Sequence, residues 1–251
     1  MEPNLLVLGG TLEATRLCRA LAGAGLRGTV SMAGRVARPA DQALPLRIGG
    51  FGGAEGLATY LRAQRITHVI DATHPFAAQM SANAVAACRA VDVPLIALTR
   101  APWGETADDH WTRVPGMAGA VAALGGAPRR VMLAVGRMHL PDFAVQPQHF
   151  YLLRLVDPPE ARLDFPDHHV VVDRGPFGLE GDLALLRDHA IDLVVSKNSG
   201  GTGAFAKIAA ARELGLPVIM IDRPSIPARH ETHEVEEVLR WLDHAGTDLG
   251  V

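Results

Sequence analysis

The sequence predicts an α/β protein built on parallel sheets, and three observations predict it. Short apolar runs alternate with Ala- and Leu-rich stretches of helical period. Glycine-rich turns close several of those runs. The alternation starts again after a segment near residue 100 that carries Pro102, Trp103, Gly104 and Pro115. Strands separated by helices of this length read as βαβ units, whose sheets are parallel. A chain of 251 residues, 48% of them hydrophobic, can bury a substantial core and does not read as disordered.

Leu5-Leu6-Val7-Leu8 is a first strand, closed by Gly9-Gly10-Thr11. Leu12, Leu17, Leu21 and Ala22 then carry a helix that Gly23 or Gly25 ends. Residues 29–32 read as the second strand and 44–48 as a short third. Gly49-Gly50-Phe51-Gly52-Gly53 is a loop, followed by a helix over 54–64. Residues 66–70 form a fourth strand, 76–91 a helix and 94–98 a fifth strand. The segment 100–115 reads as a crossing between domains, dividing 1–115 from 116–251. Beyond it come a helix at 117–124 and strands at 131–135, 149–155 and 170–172. A helix at 179–189, a buried strand at 191–196, a helix at 204–214, a strand at 217–221 and a helix at 235–244 complete the series.

A net charge of −3 argues against a general nucleic-acid binder. No apolar run approaches the roughly 20 residues that span a bilayer, and the N-terminus lacks a basic, signal-like start. A soluble, cytoplasmic, monomeric protein is expected. Cys18 and Cys88 lie in helical patterns without a nearby cysteine partner and read as buried, inert thiols. Among 11 histidines none forms an H-x-x-x-H pair beside a carboxylate, so no metal is expected. His168-His169, His230 and His233 read as solvated.

Two Gly-Gly-Thr loops lie between a strand and a helix, where backbone amides and the helix N-terminus favour an anion. The first, Gly9-x-Thr11-x-x-Ala14, has Thr where a dinucleotide fingerprint has its second glycine. No acidic residue ends the next strand, but Arg35 lies just beyond it and suits the 2′-phosphate of NADP. The second loop matches the fingerprint as Gly201-x-Gly203-x-x-Ala206, with Asp222 about 20 residues on. The first is preferred for the dinucleotide, because it belongs to the first βα unit of its domain. Either loop can also be a tight turn without a ligand.

Asp71-Ala72-Thr73-His74-Pro75-Phe76-Ala77 sits at the C-terminal end of the fourth strand, the edge where open α/β sheets bind ligands. The same residues also suit a capped turn, with Asp71 or Thr73 as the cap. In the second half, Lys197 follows a buried strand and precedes Asn198-Ser199-Gly200-Gly201. The chain has 22 arginines and only two lysines. A lysine in a desolvated cleft gives up its proton more readily and can act as a general acid or an anion clamp. Lys207 lies within the following helix and reads as a surface residue.

Leu8-Gly9-Gly10-Thr11-x-Glu13-Ala14, Ala33-Gly34-Arg35, the Asp71–Ala77 segment and Ser196-Lys197-Asn198-Ser199-Gly200 together resemble the precorrin-6A reductases of cobalamin biosynthesis. The resemblance implies two Rossmann-like domains that exchange a strand, with the active site in the cleft between them. It implies reduction of one carbon–carbon double bond of the tetrapyrrole precorrin-6A by NADPH, to give precorrin-6B. It assigns Gly9, Gly10, Thr11, Glu13, Arg35 and Thr73 to NADPH, and His74 and Lys197 to the reaction. Asn198, Ser199, Gly200, Gly201 and Arg16 fall to the substrate. Thr15 stands where the family pattern has Arg directly after Glu-Ala. A ring fringed with carboxylates calls for scattered cations, and Arg16, Arg38, Arg100, Arg137, Arg154 and Arg174 are candidates. Two alternatives remain: an NADP-dependent reductase of another substrate, and a non-catalytic nucleotide sensor.

Overall fold

The computed structural model describes residues 2–34 and 41–247. The chain falls into two units, Met1–Ala101 with Ser225–Val251, and Pro102–Pro224.

The first unit begins with β1 (Asn4–Leu8), α1 (Leu12–Gly23), β2 (Arg27–Met32), β3 (Leu46–Ile48), α2 (Gly53–Ala63), β4 (His68–Asp71), α3 (Ala78–Val91) and β5 (Leu95–Leu98). The second holds β6 (Trp111–Val114), α4 (Met117–Leu124), β7 (Arg130–Ala134), a 3-10 turn at Arg137–His139 and α5 (Leu140–Phe143). It continues with β8 (Phe150–Leu155), β9 (His168–Val172), α6 (Leu179–Asp188), β10 (Leu193–Lys197), α7 (Ala206–Glu213) and β11 (Val218–Ile221). The chain then returns to the first unit with β12 (His230–Thr232) and α8 (Val235–Thr247).

Each unit is a six-stranded parallel sheet, in the orders β12-β5-β4-β1-β2-β3 and β6-β11-β10-β7-β8-β9. The two orders have one plan. In each, the first long strand (β1 or β7) lies at the centre and the direction of winding reverses beside it, at β4 or β10. The sixth strand of each sheet comes from the other half of the sequence. β6 follows β5 in the chain yet pairs with β11, and β12 follows β11 yet pairs with β5. This is a strand exchange, and it corrects the expected division at 115. Trp111–Val114 is part of the second sheet, and the last elements close the first.

The apolar residues of β1 explain its central place. Leu5 and Val7 face a core shared with α1 and α8, through Leu17, Leu21, Val238 and Leu242. Leu6 and Leu8 face the opposite core, with Leu57 and Leu61 of α2 and Ala84 of α3. Alternate side chains of a strand point to opposite faces, so a strand covered on both faces must be apolar throughout. In α1 the buried Ala14, Leu17, Cys18 and Leu21 recur at three- and four-residue intervals, which gives the helix one apolar stripe. Among the described residues no helix is long and apolar enough to cross a membrane.

Candidate functional site

The reversal of winding at β1 and β4 opens a crevice at the C-terminal edge of the first sheet, where doubly wound folds take their ligands. A cavity of about 400 Å³ lies there. It is lined by Gly9 and Gly10 after β1, residues 31–34 at the end of β2, the 48–53 segment from the end of β3, Thr73 and His74 after β4, and Asn83 of α3. Every wall is a strand end or the start of the helix that follows.

Glycine is required in the floor. A Cβ on Gly9 would stand 2.9 Å from Val30 Cγ2, and Gly10 has φ +114°, a region that side chains disfavour. These two positions bring bare backbone to the cavity, next to the N-terminus of α1. Thr11 is the N-cap of that helix. Its hydroxyl accepts from the Ala14 N–H at 3.1 Å and donates to the Ala72 carbonyl at 2.8 Å. It ties the two loops at the switch point together, and its one hydroxyl proton is already spent on Ala72. Glu13, in the first turn of α1, pairs with Arg100 at 3.0 Å. Arg16 is exposed on α1 and does not line the cavity. Arg35 and Arg38 lie outside the described residues.

The Asp71–Ala77 turn is built on a buried carboxylate. Asp71 Oδ1 accepts the Thr73 N–H at 3.1 Å and the Thr73 hydroxyl at 2.7 Å. Asp71 thus fixes the turn itself, while α3 starts without a side-chain cap. His74 Nδ1 accepts the Phe76 N–H at 3.2 Å, which leaves Nε2 as the proton-bearing nitrogen of the ring. The thiols are inert. Burial pushes Cys18 up to about 11, and burial followed by the nearby Asp71 charge pushes Cys88 up to about 12.

In the second unit, the loop after β10 carries Lys197, Asn198, Ser199, Gly200 and Gly201. Lys197 is half-buried at the strand end, and its carbonyl accepts the Ser199 N–H at 2.7 Å. Gly200 and Gly201 both have φ +67°, so the backbone makes two successive left-handed steps. Asn198 is buried and spends its side chain on Trp103. Its Oδ1 accepts the Trp103 N–H at 2.8 Å, and its Nδ2 donates to the Trp103 carbonyl at 3.0 Å. The Trp103 indole N–H donates to the Gly201 carbonyl at 2.7 Å, and Arg223 donates to the Asn198 and Ser199 carbonyls at 3.0 and 3.1 Å. The loop is held rigidly from below.

One expectation changes. Lys207 is not a surface residue: it is 6% exposed, donates to the Ala204 carbonyl at 2.6 Å, and lies 5.0 Å from the Trp103 ring centre. The literal fingerprint Gly201-x-Gly203 follows β10, whose place in its sheet is that of β4, not β1. Its acidic companion Asp222 is paired to Arg113 at 2.6 Å. Three more of the candidate arginines are engaged. Arg154 pairs with Asp182 behind the Phe177 ring, Arg137 with Glu160 at 3.3 Å and Arg174 with Asp157 at 3.6 Å. Among the described residues no group of three or more His, Cys, Asp or Glu can hold a metal ion.

Two residues that matter here escape a reading of the sequence. Arg229 ion-pairs with Asp71 from 158 positions away. Arg47 lies 3.9 Å above the Phe51 ring and donates to the Gly49 and Gly50 carbonyls at 2.6 and 2.8 Å, fixing the glycine wall of the cavity. The run of four glycines around Phe51 is the one local signal of that wall.

Fold and site define a double Rossmann-like α/β protein with a glycine-floored cavity at the switch point of one sheet. The profile of the family described as "Precorrin-6x reductase CbiJ/CobK" matches residues 4–243. A precorrin-6A reductase of Rhodobacter capsulatus is 59% identical over 249 residues, covering 99% of both chains. One from Sinorhizobium sp is 48% identical, covering 97% of this chain and 94% of that one. The solved structure of a "CobK precorrin-6A reductase" superposes with a TM-score of 0.94 at 58% identity, over 97% of each chain. The chain belongs to the precorrin-6x reductase family and is an oxidoreductase.

Proposed function

We propose that the cavity at the first sheet's edge holds NADPH and that the Lys197–Gly201 loop serves the tetrapyrrole. The reaction is that of the family, reduction of precorrin-6A in cobalamin biosynthesis. The observation that carries the cofactor assignment is the glycine floor of Gly9 and Gly10 at the switch point, which admits a pyrophosphate against bare backbone. Arg35 is proposed for the 2′-phosphate. When bound, NADPH supplies a hydride. Thr73 and His74 orient the cofactor's reacting end, with the Thr73 hydroxyl held by Asp71 and His74 donating through Nε2.

Reducing a carbon–carbon double bond also needs a proton on the neighbouring carbon. Lys197 Nζ is proposed as its source, or as the charge that stabilises the developing anion. Gly200 and Gly201 present backbone to the ring, and Asn198 acts through Trp103 rather than on the substrate.

Fluorescence titration tests the cofactor assignment. A Cβ on Gly50 would meet nothing within 4 Å, and its φ is not positive, so Gly50→Trp adds a bulky side chain to the cavity's lining without straining the fold. NADPH affinity should fall about tenfold or more, equivalent to about 1.4 kcal/mol. Thr202→Trp should leave it unchanged and lower kcat/KM for precorrin-6A. Arg35→Ala should weaken NADPH by roughly 10- to 150-fold, the loss of one charge-assisted contact, and barely affect NADH. The opposite pattern for the two Trp variants would move the cofactor to the second unit.

A further inference from the structure

The returning C-terminal segment carries the cation that neutralises Asp71. The Arg229 guanidinium bonds Asp71 Oδ2 through Nη1 and Glu231 through Nε at 3.0 Å. The Asp71 side chain is 1% exposed and that of Arg229 is 7% exposed. The two carboxylate oxygens of Asp71 therefore have separate tasks, Oδ2 on Arg229 and Oδ1 on the Thr73 N–H and O–H.

We propose that Arg229 is a positioning residue for the reduction, holding Asp71 as a carboxylate so that it fixes the Thr73–His74 turn against the cavity. The inference rests on the reading of that cavity given above. Its physical basis is the cost of a buried charge. A carboxylate out of water and without a cation takes up a proton. Once neutral, it accepts the Thr73 bonds with roughly half the strength. Among the described residues no other cation is paired with Asp71. Its strand neighbours are Leu8 on β1 and Ala97 on β5. The α3 groups near it are Ser81, 3.4 Å from the Thr73 hydroxyl, and the Cys88 thiol, which burial keeps neutral. Glu231 lies beyond Arg229.

Arg229 is itself held in place. Arg89 of α3 donates to the Ala228 carbonyl at 3.3 Å, and the Thr99 N–H donates to the Thr232 carbonyl at 2.9 Å. The guanidinium is thus delivered to Asp71 by the exchanged strand β12 and its approach.

The test is the pH profile of precorrin-6A reduction by the full-length enzyme. A misplaced reacting group costs up to about 100-fold in rate. Arg229→Gln should therefore lower kcat by roughly 10- to 100-fold on the acid side and recover towards alkaline pH. Adding Asp71→Asn should abolish that acid limb. Arg229→Lys should keep the wild-type profile with kcat lowered severalfold, because an ammonium reaches Asp71 with one bond and cannot also hold Glu231. A glutamine variant whose profile has the wild-type shape overturns the proposal, whatever its absolute rate. Should that variant not fold, the lysine variant decides, and a new acid limb there, despite the retained charge, overturns it. His74→Ala and Thr73→Val keep the two readings apart. If both turn over normally, the cavity reading fails. If they are slow while Arg229→Gln keeps the wild-type profile, only the role of Arg229 fails.

Discussion

Lys197 and Lys207 are the only lysines in the chain, and the fold gives them opposite tasks. Lys197 ends β10 at the mouth of its loop, where a proton or a positive charge can be used. A positioned acid contributes about 10²- to 10⁴-fold to rate, so Lys197→Ala should lower kcat by that factor and leave NADPH affinity intact. Lys197→Arg keeps the charge but yields no proton. Full activity in the arginine variant would make Lys197 an electrostatic clamp, and unchanged single-turnover rates in both would remove it from the mechanism. Lys207 instead lies under the loop. Burial, then the Arg154 charge, lower its pKa from 10.5 to about 7. Between those values the unfolded chain holds one more proton than the folded one, so stability rises with pH across that window. Below about 7 both states are protonated and the slope vanishes. The urea midpoint of the wild type should therefore climb between about pH 7 and 9 more steeply than that of Lys207→Met. Parallel slopes would contradict the burial argument. The rarity of lysine drew attention to Lys197, but it could not separate the two. Burial of Lys207 depends on Trp103, a residue more than 100 positions away, and no local pattern encodes that.

At the scale of elements, glycine inside a helix has two meanings, and the structure separates them. Gly56 in α2 packs so tightly that an added Cβ would stand 1.7 Å from the Phe51 carbonyl oxygen. Gly181 in α6 has nothing within 4 Å of that position. Gly181→Ala should stabilise by about 0.5–1 kcal/mol, the ordinary helix preference for alanine. Gly56→Ala should destabilise by about 1–3 kcal/mol as an overpacked contact, and should weaken NADPH binding because Phe51 lines the cavity. Equal effects in urea unfolding would refute the distinction. The long elements were readable from apolar period: the helix expected at 117–124 is found at Met117–Leu124, and most strands fall within two residues of their expected bounds. β6, β12 and α5 were missed. His230-Glu231-Thr232 has no apolar run at all, and becomes a strand only because β5 offers it an unpaired edge. The same reason hid the division into units, since β6 and β12 are the two strands that cross it.

At the scale of the whole molecule, the exchange makes the first unit discontinuous in sequence. His230 pairs with Ile96, so the closing contact of that sheet spans most of the chain. Long loops are costly to close before their contacts reward them, and this slows folding. A circular permutant opened between Pro224 and Ser225, with the old termini joined by a flexible linker, makes that unit continuous. It should refold faster than the wild type while reaching the same secondary structure by circular dichroism. A slower or unchanged refolding rate would show that the closing contact is not limiting.

A ribosome meets this discontinuity in time. Chains emerge at roughly 5–20 residues per second, so the sheet that carries Gly9, Gly10 and the Asp71 turn waits about 7–27 s for its last strand after β5 has left the tunnel. Through that interval β5 presents a bare edge, and Asp71 lacks the arginine that later neutralises it. The second unit's strands are all present once β11 is made, about ten residues before β12 completes the first sheet. The N-terminal half of the sequence is therefore the later half to mature. A chain truncated before Arg229 would carry every strand of the second sheet, but neither the last strand of the first nor the arginine that pairs with Asp71.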